Sequence, residues 1–235
     1  MRMKNYFQVS LDVEARPCLM VGGGPEAEEK SGRLLDAGAR VTLVSPEATA
    51  QLESWAEAGR LTLHRRRYED ADLDGIYLAV NTVKSDPALS RRIYAGCEAR
   101  RILISAYDQP EDSNFVMVAL VRSGWLRVAF ATGGTSPALA STLRAEFERL
   151  FDAEFGAFTE YLAEQRRRLQ AALPKGPERS ARLRALVNGL RVRGEVTYPQ
   201  GFREWRAAGG AAAAPEAAPE AAPEAAPEAA PAAQR

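Results

Sequence analysis

Four apolar runs, CLMVGG (18–23), RVTLVS (40–45), GIYLAVNT (75–82) and RILISAYD (101–108), recur through the first half of the chain with helix-like stretches between them. Nearly continuous apolar character means that both faces of such strands are covered, the pattern of a parallel sheet. Parallel neighbours need long crossovers, and the intervening stretches supply them. The first spans 26–37 and is closed by Gly38, the second lies near 47–58, and the third runs from Pro87 to about Arg100 behind Ser85 and Asp86. A further run, LTLHRRRY (61–68), alternates and reads as a half-exposed strand. This order predicts an α/β fold, a Rossmann-like doubly wound parallel sheet over 1–113.

After residue 113 the pattern changes. FVMVALVRSGWLRVAFAT (115–132) reads as two strands meeting at Ser123 and Gly124, and SPALASTLRAEFERLF (136–151) as a helix with Ser136 as its cap. The expectation is a small α+β dimerisation segment over 114–151, because two strands alone leave open edges that a homodimer would close. Residues 152–206 read as a basic helical C-terminal domain, with eleven Lys and Arg against seven Asp and Glu. From 207 to 235 the text repeats Pro-Glu-Ala-Ala, and a proline every fourth residue forbids a continuous helix. That segment is expected to be a disordered tail.

Bulk charge excludes some partners. Formal net charge is zero, so nothing global points to nucleic acid or a membrane surface, and no apolar run approaches the length of a span. The N-terminal text has no sustained apolar core of the secretory kind. Cys18 and Cys97 lack metal-type spacing and read as buried reduced thiols in a cytoplasmic protein. His64 is the single histidine, which argues against a histidine-built metal site or a Ser-His-Asp triad; no resident metal is expected.

Two stretches carry chemistry. Gly22, Gly24 and Ala27 fit G-x-G-x-x-A between a strand and a helix, where backbone amides at the helix start can face a diphosphate. Glu47 lies 23 residues past Gly24, within reach of the expected acidic position, and Ser45 and Pro46 precede it. No arginine directly follows this strand, which favours NAD over NADP. A tight strand–helix turn without a ligand is the alternative. Pro25 and the glutamates at 26, 28 and 29 look awkward beside phosphate, although the latter two can point to solvent. The second stretch begins at Asp108, at the carboxyl end of the fifth strand, where open α/β sheets bind ligands. It could act as a general base or simply form the turn before Gln109 and Pro110. ATGGTSPALA (131–140) offers an anion cradle from Thr132, Gly133, Gly134, Thr135 and Ser136, or only a helix cap.

Taken in order, YFQVSLDVEARPCLMVGGG, LLDAGARVTLVSPE, DQPEDSNF and TGGTSPALASTLR resemble the siroheme synthase N-terminal module, the precorrin-2 dehydrogenase and sirohydrochlorin ferrochelatase family. The likeness covers about 5–205. It implies NAD-dependent oxidation of precorrin-2 to sirohydrochlorin by a homodimer, and leaves open a second activity in which ferrous iron is inserted as a substrate. It implies a catalytic role for Asp108 and cofactor contacts from Gly22, Gly24, Pro25, Glu26, Ser45, Pro46 and Glu47. Asn114 and Thr132 to Ser136 become the candidate substrate contacts, and Thr132 matches a hydroxyl that is phosphorylated in some members. A basic helical domain suits a polycarboxylate macrocycle, with Arg166 to Arg168 or the arginines of 179–193 as attractors. The chain departs from the family in reading Val80-Asn81-Thr82-Val83-Lys84 for a usual Ala-Ala-Thr-Asp. Ser105 stands for a usual asparagine, and Pro25, Glu26 and Glu29 are unusual in the clasp. A competing reading is an NAD-sensing regulatory module without catalysis; another is a tetrapyrrole carrier.

Overall fold

The computed structural model describes residues 6–207. Five strands, β1 (Pro17–Val21), β2 (Arg40–Val44), β3 (Thr62–His64), β4 (Leu78–Asn81) and β5 (Leu103–Ala106), pair in parallel in the order β3-β2-β1-β4-β5. Helices α1 (Pro25–Asp36), α2 (Ala50–Glu57) and α3 (Pro87–Arg100) make the crossovers. Successive strand residues point to opposite faces, so β1 sends Cys18 and Met20 into one core with Leu34, Leu43, Leu52 and Val80. Leu19 and Val21 enter the other, with Leu73, Ala79, Ile93 and Ile104. Both faces are covered, as the apolar runs require.

The third strand is the main departure from the sequence pattern: three residues are paired instead of the eight expected. The arginines that follow leave the sheet. Arg65 pairs with Glu53 at 2.8 Å, Arg66 engages Asp72, and the chain closes a 3-10 turn over Asp70–Leu73. Tyr68, though outside the strand, is still buried.

Beyond the sheet, β6 (Ala119–Ser123) and β7 (Leu126–Phe130) form an antiparallel ribbon with Val121 opposite Val128. Four helices follow: α4 (Pro137–Leu150), α5 (Ala153–Ala172), α6 (Pro177–Ala185) and α7 (Gln200–Ala207). The ribbon is tied down at its turn, where Gly124 at φ +52 lies so close to Gly156 that a Cβ would strike its carbonyl. Ring contacts from Phe130 to Phe147, Phe151 and Phe155 join β7, α4 and α5. The chain divides into two compact units between Arg179 and Ser180. Beyond Ala207 the expected tail lies outside the described residues. No helix among the described residues is long and apolar enough to cross a membrane.

Both cysteines are free and buried. Burial pushes the Cys18 thiol up to about 11 and the Cys97 thiol to about 12, from an ordinary 9.0. The folded values lie above the unfolded one, so this contribution to stability is full below about pH 9 and is lost as pH climbs toward 12. Neither thiol is expected to react with a disulfide reagent at pH 8 until denaturant is added. Rapid labelling of the native protein would contradict that packing.

Candidate functional site

The strand order makes β1 the turning point of the sheet: the chain leaves it toward β2 on one side and returns to it through β4 on the other. Ligand crevices open at the carboxyl ends of such a pair. After Val21 the chain needs three glycines to reach α1, for different reasons. Gly22 sits at φ +102, and a Cβ there would strike Thr82. A Cβ on Gly23 would overlap the Glu47 carbonyl. Gly24 has an ordinary φ of −83, and a Cβ on it would meet nothing within 4 Å. The first two glycines are demanded by protein walls; the third borders open space.

Four other helices begin on a side chain that accepts a backbone N–H: Thr49 for α2, Asp86 for α3, Ser136 for α4 and Asp152 for α5. α1 begins on Gly24 with no side-chain cap, and Pro25 has no N–H to satisfy. The amides of Glu26 and Ala27 are therefore left without intrahelical partners at the positive end of a helix. The start of α1 borders a crevice of about 550 Å³ lined by Gly22 to Glu26, Ser45, Glu47, Thr49, Thr82 and Val83. A diphosphate fits this donor set, with an acidic residue at the end of β2 available to a ribose. Pro46 is exposed and not in the lining.

The glutamates behind the clasp are each engaged, and not simply solvated. Glu28 accepts a hydrogen bond from Thr49 Oγ1 at 2.6 Å, Glu29 pairs with Lys30 at 3.1 Å and Arg33 at 3.6 Å, and Glu26 pairs with Lys30 at 3.1 Å. Burial would raise the Glu26 carboxyl, but hydrogen bonds from Tyr107 and Lys30, with the charges of Lys30 and Lys84, hold it below its ordinary value. The carboxylates thus point at cations and hydroxyls of the protein.

A second cavity, about 370 Å³, opens beside the first. Its walls come from the end of β5 (Ser105 to Pro110), α1 (Lys30, Arg33), the strands around Val118 and Phe130, and the glycine turn before α4. Asp108 stands on this wall at φ +60, a left-handed backbone that Asp tolerates better than most residues. Its Oδ2 accepts from Lys84 Nζ at 3.2 Å, which holds the Lys84 ammonium above its usual range. Thr132, Gly133 and Gly134 line the cavity; Thr135 and Ser136 do not. The Thr135 hydroxyl donates to the Thr132 carbonyl at 2.6 Å, and the Ser136 hydroxyl caps Leu139 at 3.1 Å. Asn114 is also spent elsewhere: its Oδ1 accepts from Ile104 N at 2.8 Å and its Nδ2 donates to Glu98 at 2.7 Å.

Between the two hollows stands Tyr107. Lys30 and Lys84 lie 4.4 and 4.6 Å from its ring centre, and the Glu26 carboxylate facing its hydroxyl pushes the phenol up. Glu26 lines one hollow while Lys30, Tyr107 and Asp108 line the other. Sequence reasoning missed Lys30, Tyr107, Thr82, Val83 and Lys84; the place of β4 beside β1 brings in Thr82 and Val83, and its place beside β5 brings Lys84 to Asp108.

A protein-family model described as "Putative NAD(P)-binding" matches residues 9–119. Siroheme synthase of Escherichia coli O139:H28 (strain E24377A / ETEC) is 36% identical over 175 residues, covering 74% of this chain and 38% of that protein. Siroheme synthase of Escherichia coli (strain K12 / DH10B) is 37% identical over 166 residues, covering 71% of this chain and 36% of that protein. The chain therefore spans well under half the length of these curated relatives. Among solved structures, SirC, precorrin-2 dehydrogenase, superposes with a TM-score of 0.65 at 23% identity, over 78% of this chain and 90% of that one. SirC agrees in fold, and the aligned sequence with the NAD(P)-binding match places the chain in the siroheme synthase N-terminal module family.

Proposed function

We propose that this protein is an NAD-dependent precorrin-2 dehydrogenase that yields sirohydrochlorin. One observation carries the reading: Asp108 stands on the wall of a cavity that adjoins the crevice at the start of α1, where Lys30 of the cavity pairs with Glu26 of the crevice at 3.1 Å. NAD, bound with its diphosphate on the uncapped amides of α1, supplies the acceptor for the hydride removed from the macrocycle. The chain's own residues do the rest. Gly24 leaves room for the diphosphate, and Glu47 or Ser45 meets the ribose. The Asp108 carboxylate takes the proton that leaves the substrate with the hydride, so that one two-electron oxidation releases one proton. Thr132 and the Gly133–Gly134 turn hold the macrocycle's edge. A homodimer completes the fold, because each strand of the β6–β7 ribbon has an unpaired edge and α5 buries no residue by itself. A cytoplasmic setting fits the two free thiols.

Anaerobic incubation with precorrin-2 and NAD tests the reading. Equimolar NADH and sirohydrochlorin are expected, from a species of twice the chain mass by light scattering. Tight NAD binding with no turnover would favour the sensor module instead, and a monomer that turns over would remove the dimer.

A further inference from the structure

Exposed ion pairs contribute little to a fold and are screened by salt. The Lys84–Asp108 pair is of this kind, with side chains 51% and 71% exposed. Yet the segment that presents the lysine is held from several directions. Asn81, fully buried, accepts from Val83 N at 3.0 Å through Oδ1 and donates to Ser90 Oγ at 2.7 Å through Nδ2. Gln109 Nε2 donates to the Val83 carbonyl at 3.2 Å, which ties the turn after β4 to the turn after β5. The Lys84 ammonium also rests against the Tyr107 ring. Asp108, for its part, is fixed in a left-handed backbone whose cost recurs at functional sites. A pair that stability does not need is thus presented by two cross-tied turns at the wall between the hollows.

We propose that Lys84 is a positioning residue, which holds Asp108 by its Oδ2 and leaves Oδ1 to receive the substrate's proton. Among the described residues no hydrogen bond is made to Oδ1. The inference rests on the reading of Asp108 as the base. In the step itself a substrate C–H bond breaks and its electron pair leaves with hydrogen to NAD, while a second bond to hydrogen on the macrocycle gives its proton to Oδ1 and its electron pair to the new double bond. Lys84 keeps its own proton throughout. Once Asp108 is neutral the ammonium has lost its counter-charge, so loss of the proton to water restores the pair and readies the carboxylate for another turnover. Without the ammonium the exposed carboxylate is free to swing among rotamers in solvent, and a displacement of about 1 Å costs up to about a hundredfold in rate.

The test compares Lys84→Met, Lys84→Arg and Asp108→Asn with the full chain. Methionine keeps the aliphatic stem against Tyr107 and removes the charge. It is expected to lower kcat by about 10- to 100-fold. NAD affinity, by fluorescence titration, should stay within about twofold, and Tm within about 2 °C, because an exposed pair is removed. Arginine should recover most of the rate. Wild-type turnover in Lys84→Met beside an inactive Asp108→Asn overturns the positioning role alone. So does a loss of rate matched by loss of Tm or NAD binding, which marks a structural lysine. An active Asp108→Asn removes the base, and the positioning role with it.

Discussion

Asp108→Asn is expected to bind NAD as the wild type does and to oxidise precorrin-2 about 10²- to 10⁴-fold more slowly, the range in which a positioned base contributes. Asparagine is the informative replacement because the position lies at φ +60. Asn and Asp are the residues other than glycine that enter that region most readily, so the turn survives while the proton acceptor is lost. Alanine would add backbone strain to the loss of the base. The side chain is exposed on the rim and buries nothing, which predicts a Tm close to wild type. Steady-state rates with NAD saturating, together with NAD titration of the same preparation, separate chemistry from binding. Turnover near the wild-type rate would mean that water or a group on the macrocycle takes the proton.

The second large effect is expected at Gly24, with opposite signs for stability and binding. A side chain here meets open space, and its φ of −83 suits any L residue. Aspartate at a helix start is a favoured cap and complements the helix dipole, so Gly24→Asp should raise or preserve Tm. The same carboxylate would occupy the uncapped start of α1 and repel a diphosphate. NAD affinity is expected to fall by at least about a hundredfold, close to 3 kcal/mol. Gly23→Ala is the control: its Cβ would overlap the Glu47 carbonyl, so that variant should lose stability first. If Gly24→Asp binds NAD normally, the diphosphate does not lie on α1.

The contrast between these glycines also shows what could be read in the sequence. A triplet after an apolar strand announces a tight turn, but only the neighbouring chains decide which members are steric necessities. Apolar runs located β1, β2, β4 and β5 because burial on both faces leaves a mark at every residue. β3 was over-extended because Arg65 and Arg66 continue the alternating pattern while their charges are drawn to Glu53 and Asp72. Asp108 was legible as the residue closing a strand. Lys84 is visible in the sequence only as an oddity in Val80-Asn81-Thr82-Val83-Lys84; its meaning depends on β4 lying beside β5, which sets the turn after one strand against Asp108 in the turn after the other. Asn114 illustrates the converse. Its motif is recognisable, yet the amide is occupied by Ile104 and Glu98 at the sheet edge.

The floor of the coenzyme crevice is already locked. Gly22 N–H reaches Val44 O at 3.1 Å, Thr49 N–H reaches Gly23 O at 3.0 Å, and Gly23 packs flush on Glu47. A receptor fastened in this way spends little entropy on ordering these turns when the dinucleotide arrives, so the diphosphate half is met by a surface already in shape.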